Sequence, residues 1–319
     1  MAFVPTFTDA ERIQCKASIM IEGLTGSGKT GLALAFGKVL AGGSWQRVFH
    51  IDTENKSANL FVGIPFSTGG QVGKFKVGQL TADIGYKPEN YLIYRDVAKK
   101  AGAEVVIEDS ISHAWMYKGG VLDLVNEATK RQPNNKNDKY AAWRDEEVAK
   151  QKQLLLELIR DPEVHVITTV RVKEKFDYDE VDGKKKLVSL GEQQIQQDDL
   201  KYEPDLVLHM ISPGYGNDTH PVAEVIKTRY PMLKKGEQYS FTPELMLQVK
   251  AYLEEGADPL ELLEQQRKDY IEAAKNYLDT HPTAQPIWQV LKKDAGHEET
   301  KLTDLPLAVL KNLYIRLTN

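Results

Sequence analysis

Residues 23–30 read Gly23-Leu24-Thr25-Gly26-Ser27-Gly28-Lys29-Thr30, and the reading of the chain starts from them. A polyphosphate needs several backbone N–H donors turned into one concavity, which requires residues without Cβ crowding. Gly23, Gly26 and Gly28 supply that backbone, and a helix beginning at Lys29 adds the positive end of its dipole. Lys29 is placed to reach the outer phosphates of ATP and the Thr30 hydroxyl to ligate Mg²⁺. The flanks agree. Lys16–Ile21 alternates as a short apolar strand, and Lys29–Leu40 has the composition of a helix that Gly42-Gly43 would end. A strand, a glycine loop and a helix in that order make a chance turn a poor alternative.

Working outward, Arg47–Ile51, Glu104–Ile107 and His165–Val170 are short apolar strands, separated by helical stretches at Pro88–Ala101, Ile111–Thr129 and Tyr140–Arg160. Residues 62–80 read as loop with an edge strand at most. A hairpin is expected over 171–200 around Asp182-Gly183, then strands at Leu206–Met210 and Val222–Ile226. Strands alternating with helices predict an α/β fold with a mostly parallel twisted sheet. Beyond Ala257-Asp258-Pro259 the chain reads as three helices near 260–280, 284–295 and 305–317. The domains expected are therefore 1–256, with a short arm at 1–15, and a helical module at 257–319.

Composition sets limits on the function. The chain of 319 residues has a formal net charge of −5, so it is no generally basic nucleic-acid binder, and DNA contacts would need local patches. Cys15 is the single cysteine, which excludes an internal disulfide and a cysteine metal site and fits a reducing, cytoplasmic setting. No apolar run is long enough to span a membrane, and MAFVPTFTDAERIQC lacks the blocks of a secretion signal.

Hydrolysis needs two kinds of acid near the loop. Mg²⁺ needs a carboxylate at the end of a neighbouring strand, and Val105-Val106-Ile107-Glu108-Asp109-Ser110 offers Asp109, with Glu108 alternating to the other face. The attacking water needs a base. Ile51-Asp52-Thr53-Glu54 ends a second strand in acids, and Glu54 is one reading of it. A turn or helix-cap cluster is the other, since Asp, Thr and Asn favour such places.

GLTGSGKT, IDTE and VVIEDS, in that order, resemble the RecA-like P-loop ATPases, specifically phage-encoded ATP-binding proteins of the single-strand annealing and recombination type. The resemblance covers roughly residues 5–235 and includes Asp109-Ser110-Ile111-Ser112-His113-Ala114-Trp115. It implies that Glu54 is the water-activating base. Val166–Lys173 is similar to that family's γ-phosphate sensor strand, with Thr169 where the family has glutamine and Arg171 as a second sensor candidate. Val225-Ile226-Lys227-Thr228-Arg229 resembles the strand whose basic pair reaches a neighbour's γ-phosphate, so Lys227 and Arg229 imply a homo-oligomer, ring or filament. Phe7-Thr8-Asp9-Ala10 is similar to a polymerisation handle, though a packing Phe fits equally.

The same family binds single-stranded DNA through two loops. At the first, this chain has Lys130, Arg131, Lys136 and Lys139 with Tyr140 and Trp143 behind them. At the second it has Lys173, Lys175, Lys184, Lys185 and Lys186. A solvated polar loop and a hairpin with cross-strand ion pairs are the plainer readings, because acids interleave the second group. Trp115, Trp143 and His113 read more simply as core or interface residues. The function expected is an oligomeric ATPase that binds single-stranded DNA in annealing or recombination, with a single-strand DNA-binding protein as a candidate partner. A RecA-like ATPase acting on protein partners is the alternative. A small-molecule kinase fits poorly, since no arginine-rich lid is visible.

Overall fold

The computed structural model describes residues 9–66, 70–131, 140–181, 184–214 and 220–318; for 175–181 and 184–191 it describes the backbone alone. Lys16–Leu253 form one compact unit, and the residues before Lys16 group with Glu254–Asn319 in a second. The stretch 9–15, expected as an arm of the core, thus belongs with the tail: Ile13 makes a parallel bridge to Ala257, and Gln14 N–H donates to the Ala257 carbonyl.

The first unit is built on β1 (Ser18–Gly23), β2 (Val48–Asp52), β3 (Lys76–Gln79), β4 (Val105–Asp109), β5 (His165–Val181), β6 (Lys184–Gln194), β7 (Leu206–Ser212), β8 (Val222–Thr228) and β9 (Gln238–Ser240). Its sheet runs β3-β2-β4-β5-β1-β7-β8-β9, with β6 pairing β5 off that path. The pairs from β3 to β7 are all parallel, and β8 and β9 turn antiparallel. β5 pairs with β1 as far as Arg171, opposite Gly23, and from Val172 onward pairs with β6 instead. The strand therefore leaves the sheet and becomes one side of a two-stranded arm. Arm register sets Asp179 opposite Lys186 and Glu180 opposite Lys185.

Helices α1 (Lys29–Leu40), α2 (Pro88–Lys100), α3 (Ser112–Met116), α4 (Val121–Arg131), α5 (Glu146–Glu157) and α6 (Pro243–Leu253) flank the sheet. Strand alternation divides the core: Ile19 and Ile21 pack with α1 and α6, whereas Met20 packs toward Tyr91 and Leu155 on the other face. Gly42 and Gly43, at φ 61° and 84°, close α1 as expected. Pro88 opens α2, and Asp145 caps α5 by accepting from Glu147 and Val148 N–H. The helix expected over Ile111–Thr129 is two, because the chain turns at Tyr117–Gly120 where Gly119 takes φ 78°. Strand β9 and helix α6 were not foreseen, and Tyr140–Arg160 contributes only α5 and a short turn of 3₁₀ helix at Ala141–Arg144.

The second unit holds the three expected helices, α7 (Pro259–Thr280), α8 (Ala284–Asp294) and α9 (Leu307–Thr318), around Ala274, Trp288, Leu291, Leu310 and Leu313. Asp258 caps α7 and Pro259 occupies its first turn. Among the described residues no helix is long and apolar enough to cross a membrane.

Candidate active site at the carboxyl edge of the sheet

The parallel order brings the carboxyl ends of β1, β2, β4 and β5 to one edge, where open α/β sheets bind ligands. Residues 23–30 leave β1 there. Gly26 and Gly28 take φ of 82° and 94°, a left-handed backbone that side-chain-bearing residues resist. A Cβ on Gly28 would also lie 2.6 Å from the Pro213 Cβ, so the loop has no room for one. Ser27 N–H donates to the Leu24 carbonyl at 3.2 Å, closing the turn. Lys29 is buried beneath it and donates to the Gly23 and Leu24 carbonyls at 3.0 and 2.8 Å. Burial lowers the Lys29 ammonium below its ordinary range, with Asp109 and Glu54 opposing the shift. An ammonium partly stripped of water is suited to bind an anion.

Asp109 ends β4 and is fully buried. Its Oδ2 accepts from Thr30 Oγ1 at 2.6 Å and its Oδ1 accepts from Thr169 Oγ1. Burial alone would raise this carboxyl; the imidazole of His50 and the hydroxyls of Thr169 and Thr30 outweigh it and hold it at about 2. An ionised carboxylate in contact with a threonine hydroxyl is a hard oxygen donor pair, which suits Mg²⁺. Among the described residues no group of three His, Cys, Asp or Glu could hold a metal by itself. Mg²⁺ is held by one or two protein oxygens and the phosphates of its substrate. Thr169, expected as a sensor, is bonded to this carboxylate.

Asp52 and Glu54 differ in what they meet. Asp52 is a turn residue: Oδ1 accepts Glu54 N–H at 2.7 Å and Oδ2 accepts Gln79 Nε2 at 3.1 Å. Glu54 instead meets Arg171, with its Oε1 2.7 Å from Nη2 and 2.9 Å from Nε. Arg171 also donates to Tyr117 Oη at 3.2 Å, and its own N–H donates to Ser112 Oγ at 2.9 Å. Burial opposes the guanidinium charge, but Glu54 prevails and raises the Arg171 pKa. The candidate base and the second sensor candidate thus form one ion pair beside the loop.

Other expected residues lie elsewhere. Lys227 and Arg229 do not approach the loop of their own chain. β8 runs antiparallel to β7, so its last residues land at the amino edge of the sheet, where Lys227 donates to the Tyr202 and Pro204 carbonyls and Arg229 meets Asp205 at 2.8 Å. Glu108 is fully buried against Arg95 and faces away from the loop. Lys130 and Arg131 end α4, where Arg131 lies 3.4 Å from Asp145. Lys136, Lys139 and Phe7 lie outside the described residues, as do the side chains of Lys175, Lys184, Lys185 and Lys186. Lys173 is exposed at the root of the arm.

Two residues escaped sequence reading. His50 is buried with its Nε2 3.6 Å from Asp109 Oδ2, within ion-pair distance, and neither ring nitrogen has a hydrogen-bond partner among the described residues. Thr53 Oγ1 accepts Ser110 N–H at 2.8 Å, donates to the Asp109 carbonyl at 3.0 Å and contacts His113 Nδ1. The signal for His50 was its place on β2 two residues before Asp52, on the same face. Burial and the nearby Arg171 lower His113 to about 4, so it is neutral at pH 7.

Beside this edge, a cleft of about 430 Å³ is lined by Trp115, Met116, Leu122, Lys152, Lys173 and residues 193–199. Trp115 and Trp143 stand 6.2 Å apart with rings 33° from parallel, and Lys152 Nζ lies 5.7 Å from the Trp143 ring centre.

Compared with known proteins, the chain matches a family model described as an AAA domain over residues 15–239. No curated protein matches it.

Proposed function

The chain belongs to the AAA-domain family, which makes it a P-loop ATPase by kind, and from that premise we propose that it hydrolyses ATP and couples the hydrolysis to single-stranded DNA bound beside the arm. Gly23–Thr30 take the triphosphate on backbone N–H groups, and Lys29 balances its outer charges. Thr30 and Asp109 would hold Mg²⁺, which when bound supplies charge neutralisation to the phosphates. Glu54 leaves Arg171, accepts a proton from water, and the water oxygen bonds the γ-phosphorus. The bond from that phosphorus to the bridging oxygen breaks, giving ADP and phosphate. Arg171, freed of Glu54, turns its charge to the phosphoryl oxygens.

The observation that carries the DNA half is the cleft. Trp115 and Met116 give an apolar wall for a base, and Lys152 and Lys173 stand where a phosphate backbone would pass. The resemblance to recombination ATPases supports annealing or recombination as the transaction served, and assembly into an oligomer with it. Asp198 and Asp199 in the same cleft, with the net charge of −5, favour a second reading in which a protein segment binds there.

Trp115→Ala separates the two. Loss of one stacked base costs about 1–3 kcal/mol, so binding of a fluorescent oligothymidylate should weaken roughly 5–150-fold while ATP binding is kept. Wild-type affinity should also fall steeply with salt. Unchanged oligonucleotide affinity in the variant, or an ATPase rate indifferent to DNA in the wild type, sinks the DNA reading and leaves the protein-partner one.

A further inference from the structure

Glu22 immediately precedes the phosphate loop and is a buried carboxylate, 8% exposed, that hydrolysis as described does not use. Its Oε1 lies 3.1 Å from His209 Nδ1 on β7, and its Oε2 accepts from Gln194 Nε2 on β6. The other ring nitrogen of His209 lies 3.4 Å from Glu192 Oε2, also on β6. Glu22 and Glu192 thus face the ring from its two nitrogens, the first at hydrogen-bond distance and the second at ion-pair distance. The cluster is a bridge of a particular kind. By backbone pairing β6 joins the sheet through β5, whereas these side chains tie it directly to β1 and β7. They do so at the last residue before the loop and at the C-terminal end of β6, the root of the arm.

We propose that His209 is a positioning residue that couples the β5–β6 arm to the phosphate loop, clamping the root of the arm onto the carboxylate beside Gly23. The proposal rests on the ATPase reading above. A ligand that draws on the arm shifts Glu192 and Gln194, the shift passes through His209 to Glu22, and the loop that begins at the next residue moves with it. Nucleotide in the loop acts back on the arm by the same path, since coupling between two sites is reciprocal.

The charge on His209 gives the clamp a pH dependence. The carboxylates facing it are Glu22 from β1, Glu192 from β6 and Glu224, opposite it in the β7–β8 register. The hydrogen bond to Glu22, helped by the charges of all three acids and opposed by burial, raises the imidazole above its ordinary range. A raised folded-state value means that the clamp is complete below the ordinary histidine pKa of about 6.5. It is lost as pH rises through the raised one.

The test uses the full chain and reads KM and kcat for ATP from pH 6 to 9, with hydrogen exchange at residues 23–28 and 192–194. His209→Gln should raise KM roughly fivefold or more, the lower end of ordinary site-to-site coupling, with little change in kcat and no remaining pH dependence of KM. His209→Lys, which keeps a cation across this range, should hold the low-pH KM at high pH. Loop and arm-root exchange should quicken together in His209→Gln. Should that variant not fold, Glu192→Gln removes the half-exposed end of the clamp and carries the same expectation. A KM and pH profile like the wild type's in His209→Gln, or a lowered Tm with KM unchanged, overturns the coupling. If the wild type hydrolyses no ATP, the ATPase reading fails on its own, and exchange at 23–28 still decides for or against the clamp.

Discussion

Glu54→Gln is expected to bind ATP as tightly as the wild type and to hydrolyse it about 10²–10⁴ times more slowly, the usual worth of a general base. The substitution keeps the shape of the side chain and a carbonyl oxygen for Arg171, which now contacts Glu54 at 2.7 Å. What it removes is the charge and the basicity. Lys29→Ala should fail one step earlier, at binding, because the ammonium beneath the loop is the charge that meets the outer phosphates. Equilibrium binding of a fluorescent ATP analogue and single-turnover hydrolysis separate the two. Normal turnover in Glu54→Gln would falsify the assignment of the base. It would also leave few substitutes, since Asp52 is engaged by Glu54 N–H and Gln79, and Glu108 by Arg95.

The parts of this site that were legible in the sequence share a cause: each is fixed by a few consecutive residues. The glycines of the loop, the acid ending β4 and the parallel α/β order follow from local pattern, and in the structure Gly26 and Gly28 are left-handed, Asp109 ends β4 and the central strands are parallel. Glu54 and Arg171 could be named separately, yet their pairing depends on how β5 passes β4 and β1, which no local pattern records. The same holds for Glu22, His209 and Glu192, three residues far apart in the chain brought together by strand order. Helix α6 was hidden for a different reason. It follows β9, a strand of three residues, so no run of periodicity preceded it to mark a boundary. Lys227 and Arg229, expected to act on a neighbouring subunit, end β8 at the amino edge of their own sheet because that strand runs antiparallel to β7.

Glu108, which alternates to the face of β4 away from Asp109, is a demanding group of the core. It is fully buried, and Arg95 Nη2 lies 2.5 Å from its Oε1. Arg95 also donates to the carbonyls of Glu157, Leu158 and Arg160, so one guanidinium both neutralises β4 and closes the C-terminus of α5. Burial pushes the Glu108 carboxyl up and Arg95 pulls it back. Arg95→Met should therefore cost about 3–5 kcal/mol of stability at neutral pH, by leaving an unpaired buried carboxylate. The cost has a sign in pH. Without Arg95 the folded-state pKa of Glu108 rises further, so the stability it contributes is complete below the ordinary glutamate value and lost as pH rises above it. The gap from wild type should be smaller near pH 4 and widen toward pH 7. Arg95→Met with Glu108→Leu removes both charges, and paired apolar replacements of buried ion pairs are often neutral or better. The double variant should recover most of the loss in urea unfolding at pH 7. Equal instability of the single and double variants would show that the carbonyls of Glu157, Leu158 and Arg160, rather than the buried charge, are what Arg95 is needed for.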